Sequence, residues 1–121
     1  MIWLIVGCRG LTVNDVTTGE SDAYPELRSL YPTVSTTVAM ERVREVSAEM
    51  PGWTCRDVEP FEIHCEAPGA LGSTDDVWLT VSEYGPAASR VRLRSASRGD
   101  MGDFGANARR IEAFQEAYLA Y

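Results

Sequence analysis

The chain has only one histidine, His64, and its three cysteines, Cys8, Cys55 and Cys65, form no CxxC pair. A lone histidine excludes an HExxH site and any multi-histidine metal centre. A Ser-His-Asp triad would have His64 to use and no other. Without CxxC spacing the usual zinc signature is missing, so neither a metal nor another cofactor is expected. Basic residues are also in deficit: 11 Lys+Arg against 18 Asp+Glu give a net charge of −7 at pH 7. That balance argues against nucleic acid as a partner, because phosphate backbones attract basic surfaces. It also disfavours adsorption to anionic membranes. No apolar run approaches the ~20 residues that span a bilayer. No internal repeat or low-complexity segment breaks the chain.

What is present reads as one globular domain, expected to be a monomer. The 121 residues are 45% hydrophobic and 24% charged, enough to bury a core without a disulfide framework. Residues 12–36 show little periodicity, and Pro25 and Pro32 mark an irregular arm. Tyr24, Leu27, Leu30 and Tyr31 could tie that arm to the domain. From Thr37, Ala39, Val43, Val46 and Met50 share one helical face, and Pro51-Gly52 ends the helix. Trp53–Val58 and Ile63–Ala67 have strand character around a Glu59-Pro60-Phe61-Glu62 turn. Val77–Tyr84 and Arg90–Arg98 alternate on either side of Gly85-Pro86-Ala87-Ala88. A last helix is expected from Asp103 to Leu119, with Phe104, Ala108, Ile111, Gln115 and Tyr118 along one stripe and Phe114 beside it. Asp103 suits its N-cap, and Asp100 is a rival. The expected domain, residues 37–121, is therefore α+β. Two hairpins form a four-stranded antiparallel sheet, with an N-terminal and a long C-terminal helix on one face.

Residues 1–11 are separate. Met1–Gly7 reads M-I-W-L-I-V-G and lacks the charged n-region and length of a secretory signal. Ile5-Val6-Gly7-Cys8 nevertheless resembles a bacterial lipobox, in which a small residue precedes the cysteine that receives lipid. On this reading the segment is a lipoprotein signal truncated by a late start codon. Cys8 is then lipidated, and the protein is anchored to the bacterial envelope outside the cytoplasm. The alternative is a short first strand or an unstructured end on a cytoplasmic protein.

Several stretches together resemble the domain of unknown function 1499 family. They are Asp75-Asp76-Val77, Arg94-Ser95-Ala96-Ser97-Arg98, and Asp103-Phe104-Gly105-Ala106-Asn107-Ala108-Arg109-Arg110-Ile111. That family shows a D-D-V strand, an R-S-x-S-R strand and a D-L-G-x-N-A-x-R-I helix start. Asn14-Asp15-Val16-Thr17-Thr18, Tyr24-Pro25 and Gly52-Trp53 also fit, so the resemblance runs from about residue 12. It implies a bacterial or plant protein, many of whose relatives carry secretion or lipoprotein signals, and it implies no particular activity. Phe104 stands where leucine is usual, and Cys55 and Cys65 where ordinary strand residues are expected.

The candidate site residues cluster in the C-terminal strand–turn–helix: Arg94, Ser95, Ser97, Arg98, Asp103, Asn107 and Arg110. A turn centred on Pro86-Ala87-Ala88 would oppose Asp76 to Arg98, Trp78 to Ala96, Thr80 to Arg94 and Ser82 to Arg92. Arg90, Arg92, Arg94 and Arg98 would then make a basic outer face, with Arg94 in cation–π reach of Trp78. That face is either an anion or partner site or a solvated surface balanced by nearby acids. Ser95 and Ser97 fall on the inner face, where hydroxyls need partners; Asn107 and Arg110 are one helical turn apart and can supply them. The same groups would serve either as a strand–helix clamp or as a ligand pocket. The GxxGxxG spacing of Gly99, Gly102 and Gly105 does not fit a nucleotide loop, and Asp100 with Asp103 offers too few oxygens for calcium. His64 and Cys65 point to opposite faces, which disfavours a Cys-His dyad. Cys55 and Cys65 oppose each other if the hairpin centres on Pro60. Their Cα atoms would then approach ~5.5 Å, within disulfide range, leaving Cys8 for lipid. The function expected is a non-enzymatic extracytoplasmic domain binding a small ligand or an envelope protein. The rivals are a hydrolase-like enzyme using the Arg/Ser/Asp/Asn cluster and a purely structural envelope protein.

Overall fold

A computed structural model describes residues 13–99 and 102–121. The lipidation expected at Cys8 and the alternative cap at Asp100 lie outside the described residues. Strands β1 (Asp15–Thr17), β2 (Thr54–Glu59), β3 (Glu62–Pro68), β4 (Thr74–Glu83) and β5 (Ser89–Ser97) and helices α1 (Thr36–Glu49) and α2 (Ala106–Leu119) follow in the order β1, α1, β2, β3, β4, β5, α2. The strands form one antiparallel sheet in the order β1-β5-β4-β3-β2. The class is α+β as expected, but the sheet has five strands instead of four. The additional strand, β1, comes from the arm. Three residues are too few to show alternation, so β1 leaves no periodic signal. The arm returns to β5 further on, where Leu30 and Val91 exchange both backbone hydrogen bonds.

Strand alternation explains the core. Ile63, Cys65 and Ala67 on β3, Val77, Leu79 and Val81 on β4, and Val91 and Leu93 on β5 all face inward and are buried. The two helices cover this face with Ala39, Met40, Val43 and Val46 from α1 and Ala108, Ile111, Phe114 and Tyr118 from α2. Tyr24 and Leu27 of the arm are buried in the same core. Trp53 stacks on Phe114, with ring centroids 6.0 Å apart. Ser35 caps α1 by accepting from the Val38 N–H.

Two expectations are corrected. The β4–β5 register pairs Asp76 with Ala96, Trp78 with Arg94, Thr80 with Arg92 and Ser82 with Arg90. The reversal therefore centres on Pro86, with Gly85 at φ 72°, and every expected pair is off by two positions. Because the side-chain period is two, the faces survive the shift. The last helix begins at Ala106, not Asp103. Phe104 and Gly105 both have positive φ, 55° and 82°, so the chain turns before helical geometry begins. Phe104 consequently leaves the apolar stripe and points to solvent, 45% exposed. Gln115, also expected on that stripe, instead donates to the Arg28 carbonyl.

Candidate functional site

Cys55 and Cys65 oppose each other in the register of the first hairpin and form a disulfide, with Cα atoms 4.0 Å apart. It ties edge strand β2 to β3 near the core.

Across the sheet, where Cys65, Val77 and Ser95 lie on one cross-strand row, the inner face changes from apolar to polar. Alternation places Asp75 on the face of Val77 and Leu79, and Ser95 on the face of Leu93. The first turn of α2 lies over them. Asn107 is fully buried and organises the group. Its Oδ1 accepts from the Ser95 hydroxyl at 2.6 Å and from Arg110 Nη1 at 2.7 Å. Its amide nitrogen donates to Asp103 at 2.7 Å, to Ser97 Oγ at 3.0 Å and to the Asn14 carbonyl at 3.3 Å. Asp103 in turn accepts from the Gly105 and Asn107 N–H groups, so it caps α2 across the left-handed turn. Arg110 Nη1 also donates to Ser95 Oγ, and Nη2 donates to the Pro68 carbonyl at 2.6 Å. Nη2 lies 2.9 Å from Oδ2 of Asp75, whose side chain is wholly buried. Neither Asp75 oxygen is aligned with a donor among the described residues, so the contact with Arg110 is ionic without a hydrogen bond.

Five of the seven expected site residues therefore meet: Ser95, Ser97, Asp103, Asn107 and Arg110. Arg94 and Arg98 do not join them, because alternation sends both to the opposite face of the sheet. Asp75 is a member that the sequence reading passed over. The signal was available, since adjacent aspartates on a strand must point to opposite faces and one of them had to be inside.

The outer face carries a second polar arrangement. The chain contains no lysine, so all 11 cations are arginine, the side chain suited to bidentate carboxylate pairing. Arg94 clasps Asp15 through Nε and Nη2 at 3.1 and 2.8 Å, and its guanidinium lies 4.6 Å from the Trp78 ring centre. Arg92 pairs with Glu20. Arg98 grips Asp76 with two bonds of 2.9 Å and also reaches Glu66. His64 Nε2 sits 2.8 Å from Asp76 Oδ1. The Arg98 hydrogen bonds outweigh partial burial and hold Asp76 below the usual carboxylate range, with His64 adding to them. Reciprocally, Asp76 and Glu66 raise Arg98, and Asp15 raises Arg94. The arginines at 92, 94 and 98 are thus each matched by acids, two of them from the arm.

Between the short helical turn Ala70–Gly72, which joins β3 to β4, and the left-handed turn at Phe104 and Gly105 lies a cleft of about 210 Å³, bordered by Ala70, Leu71, Ser73, Ser97, Asp103 and Phe104. Leu71 and Phe104 are the only non-glycine residues with positive φ among the described residues, each at 55°. Leu71 is 87% exposed. A bulky residue in the left-handed region costs roughly 1–2 kcal/mol, and both are apolar, exposed and border one opening. The turn bearing Leu71 is seated tightly. A Cβ at Gly69 would collide with Asp75 Oδ1 and Ser73 Oγ, and the Gly69 N–H donates to the Ser73 carbonyl at 2.7 Å. The sequence signalled neither lip: Leu71 carries no periodic pattern, and Phe104 was expected on the apolar stripe of the last helix.

A five-stranded antiparallel sheet with two helices on one face, clamped by a buried polar knot at the start of the second helix, defines a small α+β domain. The family described as "Protein of unknown function (DUF1499)" matches residues 10–118, and the chain belongs to that family. No curated protein matches it.

Proposed function

We propose that this is a non-enzymatic extracytoplasmic domain that binds a small ligand or an envelope partner at the Leu71–Phe104 cleft. The observation that carries the reading is the pair of left-handed apolar residues facing one opening. Backbone strain of this kind persists where the surroundings over-determine it, and it gathers at binding sites. Two exposed apolar side chains at strained positions contribute nothing to the core, so their stabilising use lies in a contact outside the chain.

The chemistry of the polar knot favours binding over catalysis. Ser95, Ser97, Asn107 and Arg110 spend their hydrogen bonds on one another. The one histidine lies across the sheet, against Asp76. A hydrolase would need a nucleophile within about 3 Å of its base. The knot therefore supports the cleft mechanically: it fixes the end of β5, which carries Ser97, and the turn leading into α2, which carries Phe104. The Cys55–Cys65 disulfide supports an oxidising compartment. A lipid anchor at Cys8 is part of the same proposal.

Native mass spectrometry of the purified chain tests the reading. The expected result is a co-purifying adduct in the natural chain that a Leu71→Ser/Phe104→Ser variant loses. A chain without any adduct, or an adduct retained by the variant, counts against the cleft.

A further inference from the structure

The path of the chain at the cleft points to what the lips touch. Val13, the first described residue, is fixed beside the opening: its carbonyl accepts from the Asp103 N–H at 2.9 Å. Next to it, the Asn14 side chain donates to the Gly99 carbonyl at 2.9 Å. Gly99 and Asp103 both border the cleft. Cys8 lies five residues upstream, and five residues span at most roughly 17 Å even when fully extended. Wherever Cys8 is held, Val13 at the edge of the cleft is held within that distance of it. The headgroup layer on each side of a bilayer is only about 5–7 Å deep.

The lip itself has the composition of an interfacial contact. Phe104 and Leu71 present apolar side chains, and exposed Arg109 donates to the Phe104 carbonyl at 2.9 Å. An arginine that borders exposed apolar residues can keep its charge among phosphates while the neighbours enter the acyl boundary. Asp103, which borders the cleft, is buried and its carboxylate is taken up by the Gly105 and Asn107 N–H groups that it caps. We propose that the partner of the cleft is the bilayer surface itself. On this proposal Leu71 and Phe104 dip into the headgroup–acyl boundary and orient the domain on the membrane that anchors Cys8. The inference rests on the cleft reading above and gives its partner a chemical class.

Because Cys55 and Cys65 are bonded to each other, Cys8 is the one thiol left of three. The full chain can be coupled through it to a maleimide lipid in phosphatidylcholine vesicles. Hydrogen exchange of residues 69–73 and 102–105 is then compared between tethered and free chain. The expected result is slowing of about threefold or more in both segments, with α1 unchanged. Leu71→Gly/Phe104→Gly should abolish the slowing, since glycine fits both backbones. Equal exchange in tethered and free chain overturns the bilayer proposal. A second arm uses dihexanoylphosphatidylcholine below its micelle concentration. Slowing by this monomer, without slowing on vesicles, overturns membrane docking but leaves the cleft as a binding site. Slowing by neither overturns membrane docking, and the co-purifying adduct described above then decides the cleft separately.

Discussion

Arg110 neutralises a carboxylate that has no other partner among the described residues: its Nη2 is 2.9 Å from Oδ2 of Asp75, and the Asp75 side chain is completely buried. A buried charge stripped of its counter-ion is among the costliest lesions a small domain can suffer. Arg110→Ala should therefore destabilise the domain by about 3–5 kcal/mol, a large share of the stability of a chain this size. The double variant Asp75→Ala/Arg110→Ala should lose less than the sum of the single losses, because it removes both charges together. Urea unfolding of the four proteins of that cycle measures both quantities. Strictly additive losses would show that the ion pair has no coupling.

The disulfide makes a separate contribution. Cys55 and Cys65 enclose a short hairpin loop with a sequence separation of 10, for which loop-closure entropy gives roughly 3 kcal/mol. Reduction, or Cys55→Ser/Cys65→Ser, should lower the melting temperature by about 10 °C. The hairpin itself should survive, because Ile63 and Ala67 still face the core and β3 pairs with β4 over its whole length. Calorimetry with and without reductant checks the size of the shift. A change of under a degree would mean that the bond only decorates the edge.

Much of this architecture was legible in the sequence for a physical reason: periodicity survives small errors. The helices announced themselves through Ala39, Val43 and Val46 and through Ala108, Ile111 and Tyr118, and the strands through Val77, Leu79 and Val81. The β4–β5 register was displaced by two positions, yet Arg94 still fell on the Trp78 face, because parity was kept. What depends on single residues did not show. β1 exists through its pairing with β5, a contact between positions about eighty residues apart in sequence. The turn at Phe104 and Gly105 was hidden because Asp103 is a good cap whether it stands directly before the helix or across a left-handed turn. The knot of Ser95, Asn107 and Arg110 was anticipated as a meeting of side chains. Only coordinates could show that those groups satisfy one another and leave Asp75 to a single ionic contact.

The strained lips set stability against binding. Leu71→Gly and Phe104→Gly remove a side chain that makes little core contact and relieve a conformation that glycine adopts freely. Added freedom in the unfolded chain offsets part of that gain. Each substitution should leave stability unchanged or raise it by up to about 1 kcal/mol, while loss of the apolar lip weakens whatever the cleft holds. Chemical denaturation of the variants provides the check. A loss above about 1 kcal/mol from either would show that the side chain is structural and would remove the main argument for the cleft.

The acid side of the stability profile should carry the mark of Asp76. Its hydrogen bonds with Arg98 hold its pKa below the ordinary value of 3.8, with His64 acting in the same direction. A carboxyl with a lower pKa folded than unfolded binds fewer protons in the native state. Its contribution is therefore fully present above the unfolded value and is lost as pH falls through the folded one. The window lies below about pH 4, with neutral pH on the plateau. Asp76→Asn keeps the shape but removes the titration. Its stability should therefore fall less steeply between pH 4 and pH 2 than that of the natural chain, on top of a pH-independent loss from the weakened Arg98 contact. Urea midpoints measured across that range decide the matter: parallel curves for the two proteins would assign the acid sensitivity to other carboxylates.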